Sequence, residues 1–356
     1  MESANGEDMQ ETDLEKRKRR VLEIIIESYT DTVLPVGSLT ISRKYRLGLS
    51  PATIRNIMAE LEEEGFLVQQ HTSGGRLPTD KGYRFYVDSL MHTGFITQED
   101  EKRIEKEYKS RNKELEFLIE ETSRILSIIT NYAGVVLFPR LADGIFRCVD
   151  IIPVTRHKVL VVLVTLSGWM NSTLVELEEP MDEGELRRLV RLLNNELGEL
   201  PLYEIKDYIL RRTIEERREP VFYIFKRAIE IFDLNLLVSD DDRLYLEGTS
   251  NILEQPEFQD VDRIKVILRA LEKKKAILEI MKQDIGKEGI NIHIGRETGY
   301  KEIEDCSIIT ASYKMKEAAI GTLGVIGPMR MDYSRTISVV EHISKVLSRI
   351  ISDMVE

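Results

Sequence analysis

Cysteine, histidine and tryptophan are scarce in this chain of 356 residues, and their scarcity argues against several kinds of site. The two cysteines, Cys148 and Cys306, have no partner at a motif spacing, so neither a disulfide framework nor a cysteine-based zinc site is predicted. The five histidines are scattered singly, which argues against a metal cluster. We therefore expect a protein without a metal or another cofactor.

Long hydrophobic runs are also missing. The longest, between Val159 and Leu166, is too short to span a membrane and suits a buried strand. The N-terminal residues MESANGEDMQETD are polar and acidic and contain no apolar core of a signal peptide. We expect a disordered leader over residues 1–13 and a cytoplasmic protein without a membrane partner.

Catalytic motifs are absent as well. Gly321, Gly324 and Gly327 recur every third residue, but no Lys-Ser/Thr pair follows them, so they do not form a phosphate-binding loop. Neither G-x-S-x-G nor H-E-x-x-H occurs. The acidic run at 240–242 is more typical of a solvated loop than of a cation site. We expect that the chain is not an enzyme.

Positive charge is in the minority, with 50 Lys and Arg against 62 Asp and Glu and a net charge of −12. Such a balance opposes binding to a polyanion unless the cations are concentrated in one region. Residues 14–90 hold 12 Lys and Arg against 10 Asp and Glu, a net of +2, so the rest of the chain carries −14. The basic run at 16–20 is a candidate contact for nucleic-acid phosphates, although short runs of this kind are usually solvated helix faces.

Residues 34–79 begin with the pattern of a helix-turn-helix. Ser38 is placed to cap a first helix that includes residues 41–45. Gly48 permits a tight turn, because glycine adopts backbone conformations that are closed to other residues. The turn brings the chain to the start of a second helix.

Ser50 and Pro51 are a capping hydroxyl and a first-turn proline, the combination with which a helix commonly starts. The apolar residues that follow recur at helical spacing and predict one buried face: Ile54, Ile57, Met58 and Leu61. Polar and small residues occupy the remaining surface of the first turns. Gly65 ends this helix.

A β-hairpin follows the second helix. Residues 66–68 begin a strand, residues 73–75 (Ser-Gly-Gly) form a turn, and residues 76–77 begin the returning strand. Two helices and a hairpin in this order are typical of the winged helix, which reads duplex DNA. The alternative, that this unit only packs against a neighbouring domain, remains open.

The second helix has side chains suited to the major groove. Ala52 and Thr53 are small enough for close approach to a thymine methyl group. Arg55 can donate two hydrogen bonds to guanine, and Asn56 can pair with adenine. Arg76 on the hairpin can lie along the DNA backbone or enter the minor groove. Twelve residues are predicted to contact double-stranded DNA: Ser38, Arg43, Lys44, Ser50, Ala52, Thr53, Arg55, Asn56, Ser73, Gly74, Gly75 and Arg76.

The rest of the chain alternates between strand-like and helix-like segments. Short β-branched runs predict an antiparallel sheet at 134–178 and further strands at 290–327. Residues 99–132 are predicted to form one long linking helix, whose apolar seam suits a partner helix within the chain or in a dimer. Further helices are predicted at 186–213, 220–232, 261–281 and 333–354.

These segments predict the α+β fold class. A mainly helical block separates the two groups of strands, which indicates one α+β domain interrupted by an insertion. The predicted divisions are a leader at 1–13, a winged helix-turn-helix DNA-binding domain at 14–92, a body formed by 93–180 and 246–356, and an inserted domain at 181–245.

Five sequence blocks carry a family resemblance. They are PVGS at 35–38, LSPATIRNIMAELEEEGFL at 49–67, TSGGRLPTDKGYRFYVDSL at 72–90, IGRE at 294–297 and LGVIGPMRMDY at 323–333. With these blocks the chain resembles the family of heat-inducible transcription repressors called HrcA over nearly its whole length. The resemblance implies a winged-helix head, a GAF-like body and an inserted dimerisation domain.

The same resemblance implies a function. It implies a homodimer that represses heat-shock chaperone operons at an inverted-repeat operator called CIRCE, with the GroEL chaperonin modulating its activity and with the protein at the nucleoid when bound to DNA. The residues alone leave two alternatives open. One is a metabolite-sensing winged-helix regulator whose body binds a small effector. The other is an enzyme with a DNA-binding head, which requires a polar catalytic cluster in the body.

Overall fold

Four helices and a two-stranded antiparallel sheet form the N-terminal part of the chain in this computed structural model. The structure describes residues 13–69, 75–91, 94–109, 115–138, 144–166, 170–215, 219–233, 243–258, 261–316 and 318–354. The N-terminal elements are α1 (Asp13–Thr32), α2 (Ser38–Lys44), α3 (Pro51–Glu63), β1 (Leu67–Gln69), β2 (Arg76–Pro78), α4 (Asp80–Phe85) and a π-helical turn (Tyr86–Leu90). We call the described residues between 13 and 91 the head.

Apolar residues at helical spacing hold the head together. The buried residues of α1 and α3 include Val21, Leu22, Ile25, Ile26, Ile54, Ile57, Met58 and Leu61. The hydroxyl of Ser50 accepts a hydrogen bond from the N–H of Thr53 at 3.1 Å, and Pro51 is the first residue of α3. The predicted start and buried face of the second helix are confirmed.

The predicted cap of the first short helix is wrong. Gly37, which has an extended backbone conformation, is the N-cap of α2, so Ser38 is the first helical residue. The Ser38 side chain is buried, with 8% of the residue exposed. A hydroxyl side chain caps a helix only from the residue before its first turn, and α2 starts earlier than its apolar pattern indicates.

The single helix predicted over residues 99–132 is also wrong, because two helices fold back on each other. α5 spans Gln98–Lys109 and α6 spans Leu115–Thr130. The hydroxyls of Tyr108 and Thr122 lie 2.9 Å apart although 14 residues separate them in sequence. In one continuous helix that separation spans about 21 Å. The chain therefore reverses direction between α5 and α6.

The remaining elements form two sheets with helices on their faces. In chain order they are β3 (Ala133–Leu137), β4 (Phe146–Pro153), β5 (Lys158–Thr165), β6 (Met170–Glu176), α7 (Glu183–Glu196), α8 (Leu202–Glu215), α9 (Glu219–Asp233), β7 (Leu244–Glu247), α10 (Thr249–Leu253), α11 (Val261–Lys273), α12 (Lys275–Gln283), β8 (Ile290–Ile294), β9 (Cys306–Met315), β10 (Ala318–Pro328) and α13 (Tyr333–Asp353). Short 3₁₀ turns occur at Pro256–Phe258, Gly295–Thr298 and Lys301–Ile303.

The larger sheet is antiparallel and has the strand order β7-β3-β10-β9-β8. Successive side chains of a strand face opposite sides of a sheet. Accordingly Val136 and Ile309 pack in the core that contains α6 and α13, whereas Val135 and Ile308 pack in the core that contains α10 to α12. Both faces are therefore covered by helices. We call the described residues 94–138 and 243–354 the body.

The smaller sheet contains β4, β5 and β6 in that order. One of its faces packs on α7, α8 and α9 around a separate apolar cluster that includes Phe146, Val161, Leu189 and Phe225. The sequence pattern predicts these strands in the same domain as residues 290–327 and an insertion that begins at residue 181, but in the described residues they pair only with one another. We call the described residues between 144 and 233 the inserted unit.

Two predicted helices are each divided by a residue in the left-handed backbone region. Glu199, with φ 64°, lies between α7 and α8, where one helix was predicted over 186–213. Lys274, with φ 55°, separates α11 from α12 within the predicted 261–281 helix. A helix cannot continue through such a conformation, so the chain changes direction at both residues.

Candidate nucleic-acid interface

The first turns of α3 present small and polar side chains to solvent. Ala52, Thr53, Arg55 and Asn56 are all exposed, whereas Ile54 between them is fully buried. The Thr53 hydroxyl lies 2.9 Å from the hydroxyl of Ser50, so the two residues fix the entry into the helix. This end of α3 can approach a ligand without disturbing the packed face of the helix.

Two further predicted contacts lie at the end of α2. Arg43 and Lys44 are exposed in its last turn, and the ammonium group of Lys44 lies 5.3 Å from the ring centroid of Tyr45. Ser38, at the other end of this helix, is buried and cannot contact a ligand unless the head rearranges. The exposed candidates on α2 and α3 are therefore Arg43, Lys44, Ser50, Ala52, Thr53, Arg55 and Asn56.

The other end of α3 is acidic, and its carboxylates have partners within the head. Lys18 Nζ lies 2.9 Å from Glu60 Oε2 and 2.9 Å from Glu64 Oε1. Hydrogen bonds to Glu60 and then to Glu64 raise the pKa of Lys18 above its ordinary value. This lysine from the basic run therefore links α1 to α3, and it offsets negative charge that would otherwise repel a polyanion.

Other members of the predicted phosphate-binding run at 16–20 also make contacts inside the head. Arg20 donates a hydrogen bond to Glu23 at 2.5 Å, and the guanidinium of Arg19 lies 5.6 Å from the ring centroid of Phe85. The run thus has structural roles that the sequence pattern does not indicate. These contacts depend on which residues the fold brings close together, and no sequence motif marks them.

Arg76 is the first residue of β2 and lies at the end of the two-stranded ladder next to the hairpin loop. It pairs with Gln69 across β1 and β2, and its backbone exchanges hydrogen bonds of 3.1 and 2.9 Å with Val36. Its Nε lies 2.8 Å from Glu62 Oε2, and only 16% of its side chain is exposed. A free wing-tip arginine was predicted, and this ion pair with the acidic end of α3 was missed.

Gly75 immediately precedes β2 in a confined position. A β-carbon at this residue would lie 2.5 Å from the carbonyl carbon of Pro35, so only glycine fits there without a shift of the backbone. Ser73 and Gly74, also predicted to contact DNA, lie outside the described residues. Gly75 thus sets the close approach of the hairpin to the segment before α2.

Among the helices that the structure describes, none is long and apolar enough to cross a membrane. Within the described ranges, no group of three or more His, Cys, Asp and Glu residues is placed to hold a metal ion.

Comparison with known proteins gives consistent matches over nearly the whole chain. Residues 116–337 match the family model described as HrcA protein C terminal domain. A protein of Geobacter sulfurreducens named heat-inducible transcription repressor HrcA is 40% identical over 96% of this chain and 99% of its own length. A protein of Syntrophobacter fumaroxidans with the same name is also 40% identical, over 96% and 99% of the two chains.

A solved structure shares the fold. A crystal structure described as that of a hypothetical protein covers 95% of this chain and 98% of its own, with a TM-score of 0.58 and 24% sequence identity. That likeness supports the mixed α+β architecture and says nothing of activity.

The named relatives define the class, which is that of transcription repressors and not of enzymes. Within that class the chain belongs to the HrcA family of heat-inducible transcription repressors. The resemblance indicated by the five sequence blocks is confirmed.

Proposed function

We propose that the head is a winged helix that binds double-stranded DNA in a sequence-specific manner through the start of α3. The observation that carries this proposal is the exposure of Ala52, Thr53, Arg55 and Asn56 above a fully buried Ile54. A helix whose first turns are small, polar and free of packing contacts can enter the major groove and reach base edges. The pairing of the acids at the other end of α3 with Lys18 and Arg76 reduces repulsion from the phosphates.

A gel-shift experiment on matched and scrambled operators tests this assignment. Arg55→Ala and Asn56→Ala should each weaken binding to the matched operator by about 1–3 kcal/mol and lower the preference for it over the scrambled one. Glu63→Gln, an exposed change at the opposite end of α3, is the matched control and should leave the preference unchanged. Equal affinity of wild type and both variants for the two DNAs would defeat the proposal.

We also propose that the protein is a homodimer joined through the outward face of β4 to β6. The strand register aligns Ile152, Leu160 and Leu174 across this face, and Met170 lies beside Val164 two rows further along, beyond the row of Asp150, Val162 and Ser172. Ile152, Leu174 and Met170 are 45%, 53% and 65% exposed. An apolar sheet face of this kind is typical of an interface, and two-fold pairing places two DNA-binding heads on an inverted repeat.

Sedimentation equilibrium tests the dimer. Leu174→Asp should shift the equilibrium strongly toward monomer, because it places a charge in the apolar row. Asn195→Asp adds the same charge at an exposed position on α7 and should leave the association constant unchanged. A monomeric wild type, or a Leu174→Asp variant that associates like wild type, would rule out this face.

The proposal extends to the operator and to the regulation of the repressor. We propose that the cytoplasmic repressor binds the CIRCE inverted repeat upstream of heat-shock chaperone operons, joins the nucleoid when bound, and is modulated by the GroEL chaperonin. The names of the relatives support heat-inducible repression. Footprinting on the host's chaperone promoters, with and without purified chaperonin, should show a protected inverted repeat and greater occupancy when the chaperonin is present.

One observation favours effector sensing as a second candidate function. A cavity of about 450 Å³ lies between α11, α12 and the segment at 300–302, and its lining includes Arg269, Lys273, Lys275 and Glu302 beside Tyr300. Three cations against one carboxylate leave a net positive lining, which with an aromatic ring suits a small anionic metabolite with an apolar body. A specific ligand must raise the melting temperature. Arg269→Ala should remove that rise, and the absence of a rise across phosphorylated and carboxylated metabolites would eliminate this candidate.

A further inference from the structure

Arg84 of α4 joins the head to the body through a bidentate ion pair. Its Nε donates to Glu297 Oε1 at 2.9 Å and its Nη2 to Glu297 Oε2 at 2.5 Å. The same Nη2 donates to the carbonyl oxygen of Ile292 in β8 at 2.5 Å, and Nη1 donates to Asp88 at 3.1 Å. A planar guanidinium with two parallel bonds to one carboxylate fixes direction as well as distance.

Glu297 is itself fixed within the body. Its Oε2 accepts a hydrogen bond from the backbone N–H of Ile294 at 3.0 Å. Burial opposes ionisation of this carboxyl, but the bonds from Arg84 and from Ile294 hold its pKa below the ordinary value. The carboxylate therefore remains charged at neutral pH and continues to bind the head.

A second arginine makes a separate bridge between the two parts. Arg330 of the body donates to the carbonyl oxygen of Thr30, near the end of α1, at 2.8 Å. The same guanidinium donates to Gln255 at 3.1 Å and to both carboxylate oxygens of Glu257. Arg330 is thus held by the body while it binds the last turn of the first helix of the head.

Buried side chains of head and body also pack against each other at this junction. Tyr83 of the head and Tyr333 of the body are each 1% exposed, and their ring centroids are 6.0 Å apart. Gly94, the first described residue of the body, exchanges hydrogen bonds with the hydroxyls of Ser334 and Ser338 at 3.0 and 2.6 Å. Head and body therefore share one apolar core, and the hydrogen bonds of Arg84 and Arg330 link them at two further points.

The two C-terminal sequence blocks supply the body half of this junction. Glu297 belongs to the block at 294–297, and Arg330 and Tyr333 belong to the block at 323–333. Gly295, with φ 57°, fits there because a β-carbon would lie 2.8 Å from Met329 Sδ and 3.1 Å from Asp80 Cβ of the head. Both blocks lie far from the proposed DNA contacts in sequence, and the proposed base readout leaves them unexplained.

We propose that Arg84, Glu297 and Arg330 are positioning residues that fix the direction of α3 relative to the body and so make binding selective for the spacing between operator half-sites. The inference rests on the proposed function, since it requires two heads on one inverted repeat. Inserting one base pair moves a half-site by about 3.4 Å and rotates it by about 34°. A head that is fixed to the body cannot follow that rotation, whereas a head on a loosened junction can.

The test measures affinity for inverted repeats whose spacers differ by one, two and five base pairs. For the wild-type dimer, a five-base-pair change turns one half-site to the opposite side of the duplex and should lower affinity about 100-fold, because only one head then binds. Arg84→Ala should bind the best operator several-fold more weakly but lose less than about tenfold over the same series. Arg84→Lys, which keeps the charge and loses the two parallel bonds, should fall between them.

Controls separate a positioning role from a merely structural one. Arg187→Ala removes an exposed arginine of the Glu183–Arg187 pair on α7 and should reproduce the wild-type series. If Arg84→Ala does not fold, as judged by circular dichroism, Glu297→Gln replaces it, because it keeps the shape and removes the charge. A uniform loss at every spacer by the folded variant would overturn the inference. A wild-type protein that does not prefer the matched operator would instead refute the proposed function.

Discussion

The head and the inserted unit are attached to the body in opposite ways. The head shares an apolar core with α6 and α13 of the body, and the hydrogen bonds of Arg84 and Arg330 link it to the body at two points. The inserted unit has an apolar core of its own, formed by β4 to β6 and α7 to α9. The first is built as an extension of the body, and the second is built as a separate folding unit.

The two parts also expose different chemistry. The start of α3 exposes small and polar side chains, among them Arg55 and Asn56, whereas the sheet of the inserted unit exposes Ile152, Leu174 and Met170. Polar groups suit a hydrated, charged partner such as DNA, and an apolar face suits a protein partner. Under the proposed function, the head that is joined rigidly to the body binds DNA. The apolar face of the separate inserted unit forms the dimer.

The largest expected effect is on the core of the inserted unit. Leu189 on α7 is fully buried in that core. Leu189→Ala should destabilise the inserted unit by about 2–5 kcal/mol, since it removes buried methyl groups and leaves a cavity. Because the core is separate, calorimetry should show an early transition for the inserted unit and an unchanged transition for head and body.

Ile25→Ala supplies the counterpart in the head. Ile25 is fully buried in the core that head and body share, so this variant should lower the transition of both together. Hydrogen exchange of α7 would be accelerated by Leu189→Ala and left unchanged by Ile25→Ala. A single transition that moves equally in both variants would contradict the division into two folding units.

A smaller effect is expected at Asp284, which holds the part of the body against which the head packs. Its carboxylate is fully buried, 2.8 Å from His293 Nε2 on β8 and 2.7 Å from the Thr310 hydroxyl on β9. Burial opposes ionisation, but hydrogen bonds from His293, Lys287 and Thr310 lower the pKa of Asp284 to about 2. His293 lies between Ile292 and Ile294, whose backbones contact Arg84 and Glu297.

Asp284→Asn should therefore destabilise the shared head–body transition by about 2 kcal/mol at pH 7. A folded-state pKa below that of the unfolded chain stabilises the protein above pH 4, and this contribution is lost as the pH falls from about 4 toward 2. The difference between wild type and variant should shrink over that window in urea titrations. A constant difference from pH 7 to pH 2 would show that charge at Asp284 is not the cause.

Local signals made the start of α3 predictable from sequence, and tertiary contacts made other features unpredictable. Ser50, Pro51 and the apolar residues of α3 act over one or two turns, so the sequence alone indicates the helix and its exposed side. The reversal between α5 and α6 is fixed by contacts such as Tyr108 to Thr122, and no glycine or proline between residues 109 and 115 marks it.

The division of strands between two sheets was unpredictable for a similar reason. A β-branched run indicates that a strand exists, but it does not indicate which strand it pairs with. Residues 133–137 join the sheet that also contains residues 306–328, although residues 146–176 are closer in sequence. The pairing of distant segments is decided by the whole fold and not by the local pattern.

The smallest expected effect concerns Arg76, whose ion pair with Glu62 makes it a part of the head rather than a free wing contact. Arg76→Ala should lower the stability of the head by about 1 kcal/mol or less, because a partly exposed pair contributes little. It should leave the salt dependence of operator binding unchanged. Arg43→Ala, which removes an exposed cation among the predicted DNA contacts, should reduce the slope of log affinity against log salt by about 1. Equal reductions in slope for both variants would mean that Arg76 leaves Glu62 and binds phosphate, and the head would then rearrange on DNA.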